Sequence, residues 1–239
     1  MNRTFRPPLW AWLFVGTACV LTAGLGFWQC QRGAQKQSLL DALATAATQA
    51  AMPLRRDSMA GSLPVRAEAH GHYDIVFQLL LDNQTHEHRP GYHVWTPFRL
   101  DSGGVILVNR GWLPANPDRS ILPALPAPAN EPLVRGLWRS LPEAGLRLSS
   151  VANCPEQKKF PAVVSYPDAA DLHCLLGQDV IPGVLLLDAD VAGGFVRDWQ
   201  TAFVGFPPSR HYAYAAQWFA LCATLLFLFV RFNFKKTGD

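Results

Sequence analysis

Hydrophobic positions are unevenly spread along the 239-residue chain. Two long runs carry no charged residue: Leu9–Trp28 (LWAWLFVGTACVLTAGLGFW) and Tyr212–Val230 (YAYAAQWFALCATLLFLFV). At about 1.5 Å per residue, roughly 20 residues cross the roughly 30 Å hydrocarbon core of a bilayer, so each run predicts a transmembrane helix. The first run exceeds the apolar core of a secretory signal. It also leads into bulky Phe27-Trp28 and not into small residues, so it reads as an uncleaved anchor.

Between the two runs the pattern changes period. QCQRGAQKQSLLDALATAATQA, after Trp28, favours helix to about Ala51, interrupted at Gly33 and ended by Pro53. PVRAEAHGHY, GYHVWTPFRL and VILVNRGWLP then show period-2 patterning, and Asp101-Ser102-Gly103-Gly104 predicts a hairpin turn between the last two. FQLLLDNQ, LVRGLWRS, GVLLLDAD and GFVRDWQTAFV read as further strands. YPDAADLHCLLG predicts a short helix, with Pro167 and Asp168 at its first turn and Gly177 at its C-terminal cap. Pro114–Pro132, rich in Pro, Ala and Asn, predicts an extended surface loop.

Strands outnumber helices and most links are hairpin-like. The expected architecture is an α+β membrane protein: two transmembrane helices flank an exported domain with a mostly antiparallel β-sheet and short helices. The predicted divisions are a cytoplasmic N-terminus at 1–8, helices at 9–28 and 211–230, a periplasmic domain at 29–210, and a cytoplasmic C-terminus at 231–239.

Composition agrees with this division. Hydrophobic residues make up 49% of the chain and charged residues 16%, against about 25% charged in soluble proteins. Arg3 and Arg6 precede the first run, and Arg231, Lys235 and Lys236 follow the second, which places both ends in the cytoplasm by the positive-inside rule. Arg32 and Lys36, on the other side of the first run, argue mildly the other way. Residues 29–210 hold 16 Lys+Arg against 17 Asp+Glu. That balance gives no electrostatic reason to invoke nucleic acid. Of the cysteines, Cys19 and Cys222 lie in the spans, Cys30 at a boundary, and Cys154 and Cys174 in the exported part. Spacing alone leaves a Cys154–Cys174 disulfide open.

No GxSxG, HExxH, GxGxxG or P-loop pattern is present, and nothing in the sequence points to an enzyme. His70/His72 and His86/His88, with His93 nearby, have spacings that could bind a metal, but no Cys or Asp completes a set, so ordinary polar histidines are the simpler account. His211 differs by position. Helical spacing puts His211, Tyr214 or Ala215, Trp218 and Cys222 on one face, with Gln217 pointing elsewhere. The first helix offers Gly24, Trp28 and Arg32 at i, i+4 and i+8, and Gly24 and Gly26 thin that surface for a flat group or for the other helix. An imidazole, an arginine and aromatics at the outer interface suit haem: imidazole as axial ligand to iron, apolar walls, and Arg32 or Arg210 for propionates. The same residue types build the aromatic and cationic belt that sets helix depth in lipid, and both readings stay open on the residues alone.

Three stretches in order resemble the signatures of one family. They are GFWQCQRGAQK at the end of the first run, GYHVWTPFRLDSGGVILVNRGWLP in the middle, and HYAYAAQWFAL at the start of the second run. They are similar to the Surfeit-locus cytochrome c oxidase assembly factors over nearly the whole chain. The resemblance implies a non-enzymatic factor in a bacterial inner membrane that assists haem a insertion into oxidase subunit I. It implies subunit I as partner and admits haem A synthase as a second. It also implies transient haem a binding with His211 as the iron ligand, and Trp28, Arg32, Trp218 and Tyr214 around it. A haem-free scaffold bracing subunit I is the alternative, and a haem-modifying membrane enzyme the third. Asn109, Arg110, Gly111 and Trp112 are expected to serve as structural support at a strand end, with a partner surface as the second reading.

Overall fold

A computed structural model describes residues 3–61, 63–128, 131–142, 158–199 and 206–236. In chain order, β1 (Arg3–Phe5) and α1 (Leu9–Thr48) come first, then β2 (Met52–Pro53), β3 (Val65–Tyr73), β4 (Leu79–His86) and β5 (Arg89–Leu100). β6 (Val105–Pro114), β7 (Leu133–Arg139), β8 (Ala162–Val164), α2 (Ala169–Leu176), β9 (Val184–Leu187), α3 (Pro208–Asn233) and β10 (Phe234–Lys236) follow. The chain forms two compact units: Met1–Leu40 with Val204–Asp239, and Asp41–Phe203.

The helical unit is built from α3 and most of α1. Gly33 was expected to interrupt the first helix, but α1 passes through it unbroken. One interior glycine costs only about 1 kcal/mol against alanine, and the Ala, Gln and Leu residues around it outweigh that. Pro208 starts α3, where a missing N–H costs nothing and the ring's fixed φ already suits the helix. Apolar side chains run all the way round both helices; Leu9, Phe14, Val20, Phe27, Leu226, Phe227 and Val230 are all exposed. A helix apolar on every side is stable inside protein or in lipid. Both are long and apolar enough to cross a bilayer, which is compatible with a two-pass membrane protein. Their free ends meet: β1 pairs antiparallel with β10, Arg3 opposite Lys236. Phe5 packs edge-on against Trp12 and Phe229, with ring centroids 6.0 and 5.7 Å apart.

The sheet unit holds eight strands in the order β2-β3-β7-β9-β6-β5-β4-β8. Its pairings are mixed and not uniformly of the antiparallel kind. β2–β3, β4–β8 and β6–β9 run parallel, and the others antiparallel. The Asp101–Gly104 hairpin joins β5 to β6 as expected. β9 enters between β6 and β7, a long-range placement no hairpin pattern signals. β3 pairs along β7 and, through Gly71–Tyr73, with Phe98–Leu100 of β5. Those pairings close β3, β7, β9, β6 and β5 into a ring. Phe98, Ile106, Val108, Trp138, Leu185 and Leu187 belong to one buried cluster with Ala67, Ala69 and Val134. Gly136 sits where a Cβ would meet the Leu186 carbonyl, so only glycine lets β7 and β9 approach there.

α2 forms as its caps dictate. The Asp168 side chain accepts from the Asp171 N–H, Asp171 returns the bond to the Asp168 N–H, and Gly177 ends the helix at φ 69°. Leu172, Leu175 and Leu176 are its buried face. The strand expected over GFVRDWQTAFV is reduced, among described residues, to a single bridge between Trp112 and Val196. The Cys154–Cys174 pairing involves Cys154, outside the described residues.

Candidate functional site

In the helical unit, one face of α1 meets one face of α3 in antiparallel order. Cys19 and Cys222 lie opposite each other, each thiol donating to the other residue's carbonyl at 3.9 and 3.8 Å. Farther along, a Cβ on Gly26 would stand 2.7 Å from the Phe219 ring, and one on Gly33 would stand 2.8 Å from the Tyr212 ring. Small residues therefore let two aromatic rings seat directly on the α1 backbone. Between these contacts His211 Nδ1 lies 2.8 Å from Gln29 Oε1.

That last contact fixes the chemistry of the imidazole. A glutamine Oε1 only accepts, so Nδ1 carries a proton, and in the neutral ring this tautomer leaves the lone pair on Nε2. His211 is half-buried, and Ala215, one turn on, is buried. An imidazole held in this way presents Nε2 as its candidate ligand nitrogen, with Gln29 as the group that orients the ring.

The residues expected around His211 are distributed differently. A Cβ on Gly24 meets nothing within 4 Å. Trp28 is 47% exposed, and Arg32 stacks over it at 5.8 Å and donates to Gln35. The Gly24–Trp28–Arg32 row is therefore not the face that meets α3; the row through Cys19, Gly26, Gln29 and Gly33 is. On α3, Trp218 is half-buried and Tyr214 is 47% exposed, while Ala215 and Cys222 take the contact positions. Arg210 stacks on Phe206 at 5.4 Å. Gln29 was missed, although the spacing Gly26, Gln29, Gly33 (i, i+3, i+7) marks one helical face.

The Asn109–Trp112 stretch works in the sheet unit. Between the pairs Trp95–Asn109 and His93–Trp112, the two residues Arg110 and Gly111 oppose the single Val94, which makes a β-bulge. Gly111 takes φ +115°, a value that L side chains avoid, and a Cβ there would meet the Val196 carbonyl at 2.7 Å. Asn109 Oδ1 accepts from the Gly111 N–H at 3.0 Å, bridging the bulge. Arg110 is 1% exposed. It donates to the carbonyls of Gly193 and Pro126 and to Gln78 Oε1, tying three loops to the strand. Burial lowers its pKa, and its charge rests on carbonyl dipoles. The Trp112 indole N–H donates to the Gln84 carbonyl. Each of the four is bonded within the fold, as structural support requires.

The model of the SURF1 family matches residues 17–223, most of the chain. No curated protein matches the chain.

Proposed function

The chain belongs to the SURF1 family, and we propose that it assists haem a insertion into subunit I of haem-copper cytochrome c oxidase by holding haem a transiently at His211. The family is known for cytochrome c oxidase assembly and is not a known enzyme family. The reading is carried by one observation: His211 Nδ1–H donates to Gln29 Oε1 at 2.8 Å, which makes Nε2 the nitrogen available to iron. The donor set fits the cargo. His211 would supply a nitrogen to the iron, Tyr214 and Trp218 would offer aromatic surface on the same helix, and Arg210, next in the chain, would be a cation for propionates. Arg32, engaged with Trp28 and Gln35, stands one helix away from this set. The haem brings the redox iron; the chain's residues bind it and shield it from water until it is handed on.

In this account α1 and α3 cross the bacterial inner membrane, both termini are cytoplasmic, and residues 29–210 lie in the periplasm. The pairing of β1 with β10 supports ends on one side, and the cationic residues around both termini support the cytoplasmic side. Oxidase subunit I is the receiving partner and haem A synthase the donor.

The test is made in cells whose own copy of the gene encodes His211→Ala, with the variant chain at wild-type abundance. Haem a per purified subunit I is expected to fall several-fold. An unchanged ratio would overturn the proposal.

A further inference from the structure

The connection between β3 and β4 has an unusual composition. Connections run over the surface and are normally built from polar and turn-forming residues. This one is a single 3₁₀ turn, Ile75–Phe77, with no buried residue. Ile75 is 50% exposed and Val76 is 64% exposed, side by side in the chain. The core does not call for them: the pairing of β3 with β5 ends at Tyr73, and the buried run of β4 starts at Leu79.

The turn is fixed on both sides. The Ala162 N–H donates to the Gln78 carbonyl, and Leu79 pairs with Ala162 of β8. Phe77 meets Phe160 edge-on, with ring centroids 5.0 Å apart. Both rings are half-buried, and Val163 of β8 is 44% exposed. On the β3 side, the Asp74 N–H donates to the Pro97 carbonyl, and the Asp74 carboxylate accepts from Arg99 at 2.8 Å. The acid adjoining the turn is therefore already neutralised by an ion pair, and a well-bonded base carries an aliphatic tip.

Lys158 and Lys159 immediately precede Phe160, and both are exposed. Among the described residues neither has a hydrogen-bond or ion-pair partner. Lysine stems lie along apolar surface while the ammonium stays with water or phosphate. An aliphatic tip beside unpaired lysines matches a lipid–water interface, where apolar groups sink below the headgroups and cations meet anionic lipid. A stable protein partner needs about 800 Å² on each side, and three exposed aliphatic side chains fall well short of that. The chain also keeps this unit close to lipid if both long helices span it. α1 runs on into the sheet unit, and only residues 204–207 lie between that unit and α3. A surface tethered in this way needs little affinity of its own.

We propose that the Ile75–Val76 tip seats in the headgroup region of the bilayer, with Lys158 and Lys159 against the phosphates of anionic lipid. The inference rests on the reading of α1 and α3 as membrane spans. Transfer of the two aliphatic side chains out of water drives the contact, and the two lysines direct it to anionic lipid. The tip is then a third attachment of the chain to the membrane, and it selects which face of the sheet unit is turned to lipid.

The test uses the full chain in nanodiscs of phosphatidylcholine and phosphatidylglycerol, the latter carrying a diazirine at the top of one acyl chain. After illumination, lipid adducts are mapped by peptide mass spectrometry. Adducts are expected on Ile75–Phe77 as well as on α1 and α3. The double variant Ile75→Asp, Val76→Asp changes only exposed positions, so circular dichroism and the adducts on α1 and α3 are retained. Its tip adducts are expected to fall at least about tenfold. Lys158→Gln with Lys159→Gln, or discs of phosphatidylcholine alone with the diazirine on that lipid, should lower the tip yield several-fold. Adducts on α1 and α3 with none at the tip overturn the proposal, and two chains per disc in that case assign the patch to a second copy. Equal tip yield in the aspartate variant, or a yield indifferent to both the lysines and the anionic lipid, also overturns it. Discs in which α1 and α3 themselves stay unlabelled overturn the reading of the spans, and the proposal with it.

Discussion

His93 and His211 show how neighbours set the hydrogen-bonding role of one residue type in two ways. At His211 an acceptor, Gln29 Oε1, holds the Nδ1 proton. At His93 a donor, Asn109 Nδ2, faces Nδ1 and moves the proton to Nε2. Burial is the main cause that lowers the His93 pKa to about 4, with the charge of His86 adding to it. The folded chain thus prefers neutral His93, while the unfolded chain takes up a proton near pH 6.5. Stability from this residue is complete above about pH 6.5, declines as pH falls to about 4, and is constant below. The full loss is on the order of 3 kcal/mol. Denaturant midpoints measured between pH 7 and 4 should fall with that window, and His93→Gln should flatten the slope. Identical slopes in the two proteins would refute the assignment.

At the scale of elements, the strands were legible and their register was not. PVRAEAHGHY, GYHVWTPFRL and VILVNRGWLP became β3, β5 and β6 because a half-buried strand writes its period into the sequence. The bulges at Asp82-Asn83 and Arg110-Gly111 were hidden, since an inserted residue breaks the very period used to find strands. β9 was legible as a strand, but not its place between β6 and β7, which depends on contacts far apart in sequence. The helices failed in another way. With apolar residues on all sides, α1 gives no phase, so the Gly24 row and the Gly26 row were equal on paper. Only packing against Phe219 and Tyr212 selected Gly26 and Gly33, and with them Gln29. That register is testable through the thiols. Copper-phenanthroline should join Cys19 to Cys222 within one chain, seen as the linked peptide by mass spectrometry, and Gly26→Leu should reduce its yield several-fold. A cross-link that forms equally well in Gly26→Leu would contradict the helix pairing.

For the whole molecule, the family and its role in oxidase assembly came through three ordered signatures, and the matched span of 17–223 includes all of them. Of the contact proposed as the site, one partner was legible in the sequence and the other, Gln29, was not. The proposal rests on His211, which the sequence singles out by its place at the mouth of an apolar helix. Its partner was looked for among Trp28 and Arg32, which instead stack on each other. The central claim is that His211 Nε2 takes the iron of haem a. The most direct measurement is the Soret absorbance of the full chain purified from haem a-producing cells, compared with His211→Ala and with that variant given imidazole. The wild type should carry the band, folded His211→Ala should lose it, and imidazole, filling the space of the missing ring, should restore part of it. A band of equal height in His211→Ala, or no band in any sample, would contradict the account.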